Sequence, residues 1–372
     1  MNVNGKAYRS IWLASDGWSV EVIDQTRLPH EFVAARLTSL EEAAEAIRTM
    51  VVRGAPLIGA TAAYGLCLAL REDPSDDSLR AAAGRLIDTR PTAVNLTWAV
   101  RRVQDAVMPL PEGQRIEAAY ECAAEICDED VRTNQAIGRH GLTLLRDHWE
   151  HRRQHDRLNI LTHCNAGWLA TVDWGTALAP VYLAHDHGMP VHVWVDETRP
   201  RNQGASLTAW ELLQHGISHT VIVDNAGGHL MQRNLVDCCL VGTDRTTAAG
   251  DVCNKIGTYL KALAARDNNV PFYVALPGST IDWSIGKGTA GIEIEQRDVA
   301  EVTGIAGLTA RGEVERIQLG PAASPAANYA FDITPAHLVT SFITERGICP
   351  AGREGLASLY PEHAGVDVGE AR

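Results

Sequence analysis

Leu158-Asn159-Ile160-Leu161-Thr162-His163 is the first of five short apolar or β-branched runs that decide the fold. The others are 191–195, 220–223, 238–241 and 271–276, and helix-patterned segments over 169–187, 207–215, 229–234 and 251–266 separate them. Strand–helix alternation of this kind builds βαβ units around a mainly parallel sheet. The reading is an α/β protein whose residues 154–360 form a Rossmann-like domain.

Upstream, residues 1–153 read as a smaller, mainly helical domain. Thr38 and Ser39 stand three residues before Glu41 and Glu42, two overlapping capping-box spacings ahead of an Ala-rich run. Pro56 suits the first residue of the next helix. Turns over 73–77 and 90–92 lead on to a helix over 93–107. Residues 146–157 are densely charged and predict an exposed connection. Beyond about 295 the pattern is mixed, with Phe331-Asp332-Ile333-Thr334-Pro335 a return to the sheet domain and 361–372 a polar tail.

Composition bounds the function. The chain has 372 residues, 45% hydrophobic and 21% charged, with a net charge of −13. An acidic balance argues against nucleic acid or an anionic membrane as partner, since both require a basic face. The eight cysteines form no CxxC pair, so reduced thiols in a cytoplasmic protein are expected. The N-terminus lacks the apolar core of a signal peptide, and the apolar stretch 56–70 is too short to span a bilayer.

In open parallel sheets ligands bind beyond the carboxyl ends of the strands. Polar residues crowd there: Thr162-His163-Cys164-Asn165 after the first run, Asp196 to Gly204 after the second, Asp224-Asn225 after the third, Gly242-Thr243-Asp244-Arg245 after the fourth. Asp224 and Asn225 serve equally well as helix caps. An isolated cysteine is more often a small buried hydrophobe. Cys164, however, stands at the first strand tip before a segment patterned as a helix, where a helix start favours the thiolate. Asp244, at another tip, would complete a proton-transfer pair. Arg53 before Gly54 and Ala55, Arg90 before a turn, and Asn254-Lys255 in the first turn of a helix could together hold a phosphate dianion. No dinucleotide fingerprint follows the first strand, no Walker sequence is present, and the histidines do not fall at metal-ligand spacing. Neither NAD nor a metal is expected.

Six segments in order resemble the methylthioribose-1-phosphate isomerase family. They are Met50-Val51-Val52-Arg53-Gly54-Ala55-Pro56, Arg90-Pro91-Thr92-Ala93-Val94-Asn95-Leu96, Thr162-His163-Cys164-Asn165-Ala166-Gly167, Asp196-Glu197-Thr198-Arg199-Pro200-Arg201, Gly242-Thr243-Asp244-Arg245 and Asn254-Lys255-Ile256-Gly257-Thr258-Tyr259. The match runs from about Leu40 to Asp282, and 331–335 extends it. The resemblance implies a cofactor-free aldose–ketose isomerase of methionine salvage, acting on a phosphorylated pentose and usually a homodimer. It implies Cys164 and Asp244 as the catalytic pair, and Arg53, Gly54, Ala55, Arg90, Gln203, Asn254 and Lys255 as substrate-binding positions. Related isomerases of 5-deoxyribose 1-phosphate and ribose bisphosphate share the scaffold. So do non-catalytic regulatory subunits of the translation-initiation exchange factor, which generally lack the Cys/Asp pair. Trp168 departs from the family's usual small residue; it either lines an apolar pocket for the 5-substituent or packs between the domains.

Overall fold

The structure, a computed structural model, describes residues 1–91, 93–152, 156–286 and 291–364. It opens with β1 (Asn2–Val3) against β2 (Lys6–Ala7), then an antiparallel sheet of β3 (Ile11–Leu13), β4 (Val20–Ile23) and β5 (Ala34–Leu37). Helices α1 (Leu40–Arg48), α2 (Ala55–Glu72), α3 (Asp76–Ile87), α4 (Val94–Val107) and α5 (Glu112–Arg152) follow. Ser39 is the N-cap of α1: its Oγ accepts the Glu42 N–H at 3.2 Å, while the Glu42 carboxylate accepts the Thr38 N–H at 2.6 Å. Ala55 precedes Pro56 in α2, so the proline takes the second helical position. Helix α2 is buried continuously from Leu57 to Leu70, as an all-round apolar helix must be.

The charged stretch expected to be an exposed connection instead continues α5 to Arg152. Leu142, Leu145 and His148 recur at helical spacing on its buried side, and that stripe outweighs the surrounding charge. Helix α5 joins two cores. Ala119, Cys122, Ala123 and Ile126 pack among the helices, whereas Ile137, Leu142 and Leu145 pack beneath the large sheet. The expected domain limit at 153/154 lies outside the described residues.

The remaining strands are β6 (Leu158–Thr162), β7 (Val191–Asp196), β8 (His219–Ile222), β9 (Cys238–Val241), β10 (Arg245–Thr247), β11 (Val252–Lys255), β12 (Phe272–Ala275), β13 (Ile281–Asp282), β14 (Gly304–Leu308), β15 (Val314–Gln318), β16 (Phe331–Thr334), β17 (Ser341–Thr344) and β18 (Gly347–Pro350). Seven of them form the large sheet in the order β18-β17-β12-β9-β6-β7-β8, parallel throughout except for β17 against β18. Counted along the chain, the six parallel strands run 3-2-1-4-5-6 across the sheet. This is the doubly wound order, and its direction reverses between β6 and β9. A second sheet, β13-β10-β11-β16, stands beside it, and β14 pairs with β15 as a hairpin.

Between the strands lie α6 (Ala179–Asp186), α7 (Ala209–Gln214), α8 (Ala226–Gln232) and α9 (Thr258–Asp267). Two helix expectations are corrected. Residues 169–187 do not form one helix: a 3-10 turn, Trp168–Ala170, is followed by a loop in which Trp174 and Gly175 take positive φ values of 72° and 78°. Residues 251–266 begin as strand β11, paired antiparallel with β16, and α9 starts only after Gly257 at φ 102°. Asn254 and Lys255 are therefore strand residues. At the far end Pro361–His363 forms a 3-10 turn and His363 stacks on Trp283, with ring centroids 4.4 Å apart; residues 365–372 lie outside the described ones.

Candidate active site

Strands β6 and β9 flank the reversal point, where the connections on either side diverge and leave a crevice. They run side by side, and the Thr162 hydroxyl donates to the Leu240 carbonyl at 2.8 Å. Their carboxyl ends carry Cys164 and Asp244. Both line one cleft, together with Arg53, Gly54, Ala55, Arg90, Gln203, Asn254 and Lys255. Residues separated by as many as 202 positions in the chain, from Arg53 to Lys255, thus share one wall-to-wall site.

Cys164 is buried and has a left-handed backbone, φ 65°. Its thiol donates to Gln203 Oε1 at 3.3 Å. No helix begins beside it, since the chain enters a loop and α6 starts only at Ala179. The thiolate expected from a helix start is accordingly corrected: burial pushes the Cys164 thiol up, and the charges of Arg53 and Lys255 only partly oppose this. Burial likewise raises the Asp244 carboxyl, against the pull of Lys255, Arg90 and Arg53. Lys255 lies buried over the Phe331 ring, 4.8 Å from its centroid, and burial lowers its ammonium against the pull of Cys164 and Asp244.

The cations are individually fixed. Arg53 donates with one nitrogen to the Asn165 carbonyl at 2.7 Å and with another to Asn165 Oδ1. Asn165 donates in turn to Thr208 Oγ1 and to Glu211 Oε1, each at 3.1 Å. Glu211 also receives the Leu169 N–H at 2.9 Å and the Tyr182 hydroxyl. Arg90 pairs with Glu295 at 2.7 Å, while its buried Nε has no partner among the described residues. Asn254 donates to Thr258 Oγ1 at 3.0 Å. Gly54, at φ 88°, lets α2 start against the Ala170 backbone, where a Cβ would stand 2.5 Å from Ala170 Cα.

Trp168 does not line the cleft. It is 1% exposed and packs against Trp210 at 6.1 Å, which makes it a core residue. Sequence reasoning passed over Glu211 and Thr208. Their three-residue spacing places them on one side of a helical turn among Leu207, Ala209, Trp210 and Leu212, a polar pair in an apolar run that could have marked them. His163, Asp196 and Asp224 also come together. The positive charge there is supplied by Lys261, whose Nζ is 3.2 Å from Asp196 Oδ2. His163 bridges that same oxygen and the Ile256 carbonyl, at 2.8 Å each.

Comparison with known proteins identifies the family. The model of the initiation factor 2 subunit family matches residues 51–351. A methylthioribose-1-phosphate isomerase from Rhodospirillum rubrum is 63% identical over 372 residues, covering 99% of this chain and 95% of the relative. Among solved structures, a 5-methylthioribose 1-phosphate isomerase from Pyrococcus horikoshii superposes with a TM-score of 0.82 at 39% identity, covering 96% and 97% of the two chains. One described as the delta subunit of translation initiation factor eIF-2B from A. fulgidus gives 0.78 at 37% identity, covering 95% and 100%. The chain belongs to the initiation factor 2 subunit family and, within it, to the methylthioribose-1-phosphate isomerases, which are aldose–ketose isomerases.

Proposed function

We propose that the chain converts 5-methylthioribose 1-phosphate to 5-methylthioribulose 1-phosphate in methionine salvage, with Cys164 and Asp244 as its proton-transfer pair. The carrying observation is that these two groups line one cleft at the reversal point of the sheet together with three cations, Arg53, Arg90 and Lys255. The cations and the free N–H groups of Gly54 and Ala55 at the start of α2 suit a phosphate dianion. Gln203 and Asn254 line the same cleft and offer amide groups to the sugar hydroxyls.

In a ribose 1-phosphate the anomeric oxygen is esterified, so the ring opens only after its oxygen is protonated. That leaves a cationic C1. The C2 hydrogen then moves to C1 with its electron pair, and the C2 hydroxyl gives up its proton as C2 becomes the ketone. One proton is given and one is taken, so the pair must hold one proton between its members. We take Asp244 as the acid and Cys164 as the base of this pair. Burial raises both groups; for Asp244 this supports the protonated acid that the ring oxygen needs, and for Cys164 it opposes a thiolate at rest. Cys164 and Lys255 are buried, which limits the reach of water to the C1 cation.

Substrate deuterated at C2 and turned over in ordinary water tests the route. The label is expected at C1 of the ketose undiluted, and substantial washout overturns hydride transfer. Cys164→Ser and Asp244→Asn are each expected to abolish nearly all turnover, whereas near-normal rates overturn the pair. A panel of 5-substituted ribose 1-phosphates tests the substrate, and a preference for the 5-deoxy sugar overturns the methylthio assignment. All eight cysteines are free thiols, which supports a cytoplasmic setting, and no described helix is long and apolar enough to cross a membrane. Homodimerisation is supported by exposed apolar side chains at the β8 edge of the large sheet: Leu213, Val221 and Val223.

A further inference from the structure

We propose that Thr198 and Asp224 are positioning residues that hold Cys164 in the backbone conformation from which its thiol faces the cleft; this rests on the reading of Cys164 as a reacting group. Two non-glycine residues in left-handed conformation meet here, Cys164 at φ 65° and Thr198 at φ 66°. An L residue, and a β-branched one above all, keeps such a conformation only when its surroundings impose it. The imposing group is the Asp224 carboxylate at the end of β8. Its Oδ1 accepts the Thr198 N–H at 2.7 Å and its Oδ2 accepts the Arg199 N–H at 2.8 Å, so one side chain grips two successive peptides. Lys261 anchors Asp224 in turn by donating to its carbonyl.

Thr198, held in this way and 1% exposed, passes the restraint on. Its Oγ1 accepts the Cys164 N–H at 2.8 Å and donates to the Asp196 carbonyl at 3.0 Å. From the other side the Thr208 hydroxyl donates to the Cys164 carbonyl at 2.7 Å. Both backbone groups of Cys164 are therefore tied to side-chain hydroxyls and not to a strand or helix. The loop that Asp224 shapes also carries Gln203, the partner of the Cys164 thiol. It returns so closely over Asp196 that a Cβ on Gly204 would collide with the Asp196 carbonyl and stand 3.0 Å from Thr198 Oγ1. One carboxylate thus sets both the backbone and the thiol acceptor of Cys164.

Thr198→Val keeps the shape of the side chain and removes the acceptor. Its kcat is expected to fall about 10- to 100-fold, the scale of a misplacement near 1 Å, with KM little changed. The rate at which iodoacetamide alkylates Cys164, followed by peptide mass spectrometry, is expected to shift in parallel. Thr198→Ser restores the hydroxyl and is expected to restore both readouts. Wild-type kcat and alkylation in Thr198→Val, or a Thr198→Ser variant as impaired as Thr198→Val, overturns the proposal. Should Thr198→Val fail to fold, Asp224→Asn, which turns one acceptor oxygen into a donor facing a peptide N–H, is read by the same two measurements with the same expectation. The alkylation rate reports the placement of the thiol even if Cys164→Ser proves active, so failure of the catalytic reading and failure of the positioning role remain distinguishable.

Discussion

Replacing Gly54 with alanine strikes the junction on which the cleft depends. Gly54 sits at φ 88° and ψ 134°, a sparsely populated conformation that costs an L residue about 1–3 kcal/mol. The added Cβ would also stand 2.5 Å from Ala170 Cα and 2.7 Å from the Ala170 carbonyl carbon. Carbon atoms rest near 3.5–4.0 Å, so α2 and the Trp168–Ala170 turn must separate by about 1 Å. Arg53 and the first N–H groups of α2 move on one side, and the chain leading from Cys164 moves on the other. A displacement of that size costs about 100-fold in kcat/KM. Gly17→Ala is the matched control. Its φ is 79° and its added Cβ meets nothing within 4 Å, so it carries the conformational cost alone. Steady-state kinetics and thermal melts of both variants are the assay. Gly54→Ala is expected to lose both activity and stability, and Gly17→Ala only a little stability. Gly54→Ala with wild-type kcat/KM would refute the reasoning that the close approach of α2 to Ala170 shapes the site.

Three further outcomes follow from particular contacts. Lys255→Met keeps the packing on Phe331 and deletes the charge, so substrate binding is expected to weaken by about 1.5–3 kcal/mol, measured as Kd; unchanged affinity moves the anion site elsewhere. Trp168→Ala is expected to cost about 3–5 kcal/mol of stability in denaturant titration and to leave the ranking of 5-substituted substrates unchanged; a changed ranking restores the pocket role. Burial pushes the Asp130 carboxyl from its ordinary 3.8 to about 7. A folded-state value above the unfolded one means that the neutral acid is favoured, so this contribution to stability is full below about pH 4 and is lost as pH rises through about 7. Asp130→Asn should therefore melt higher than the parent at about pH 8.5, with the gap closing as pH falls to about 4; an unchanged gap between those two pH values overturns the assignment.

The sequence by itself determined the sheet. Five of its seven strand positions were legible: four because buried parallel strands are short continuous apolar runs, and the more exposed β8 because its run is β-branched; their polar ends stood out against them. That also placed Cys164 and Asp244 at strand tips. Local pattern failed wherever a distant partner decided the conformation. Residues 252–255 carry helix-compatible side chains but become strand because β16, some eighty positions away, supplies the ladder. Residues 146–152 look solvated but stay helical because Leu145 and His148 reach the core under the sheet. The shift of the Cys164 thiol runs opposite to the one a helix start would give, for the same reason. A thiol's pKa is set by what surrounds it in space, and only the folded chain surrounds it with a buried wall instead of a helix start. Spacing along a chain reports periodicity, which is local. Burial, strand pairing and the meeting of Arg53, Asp244 and Lys255 around one thiol depend on contacts that no local period encodes, and these only the tertiary structure could decide.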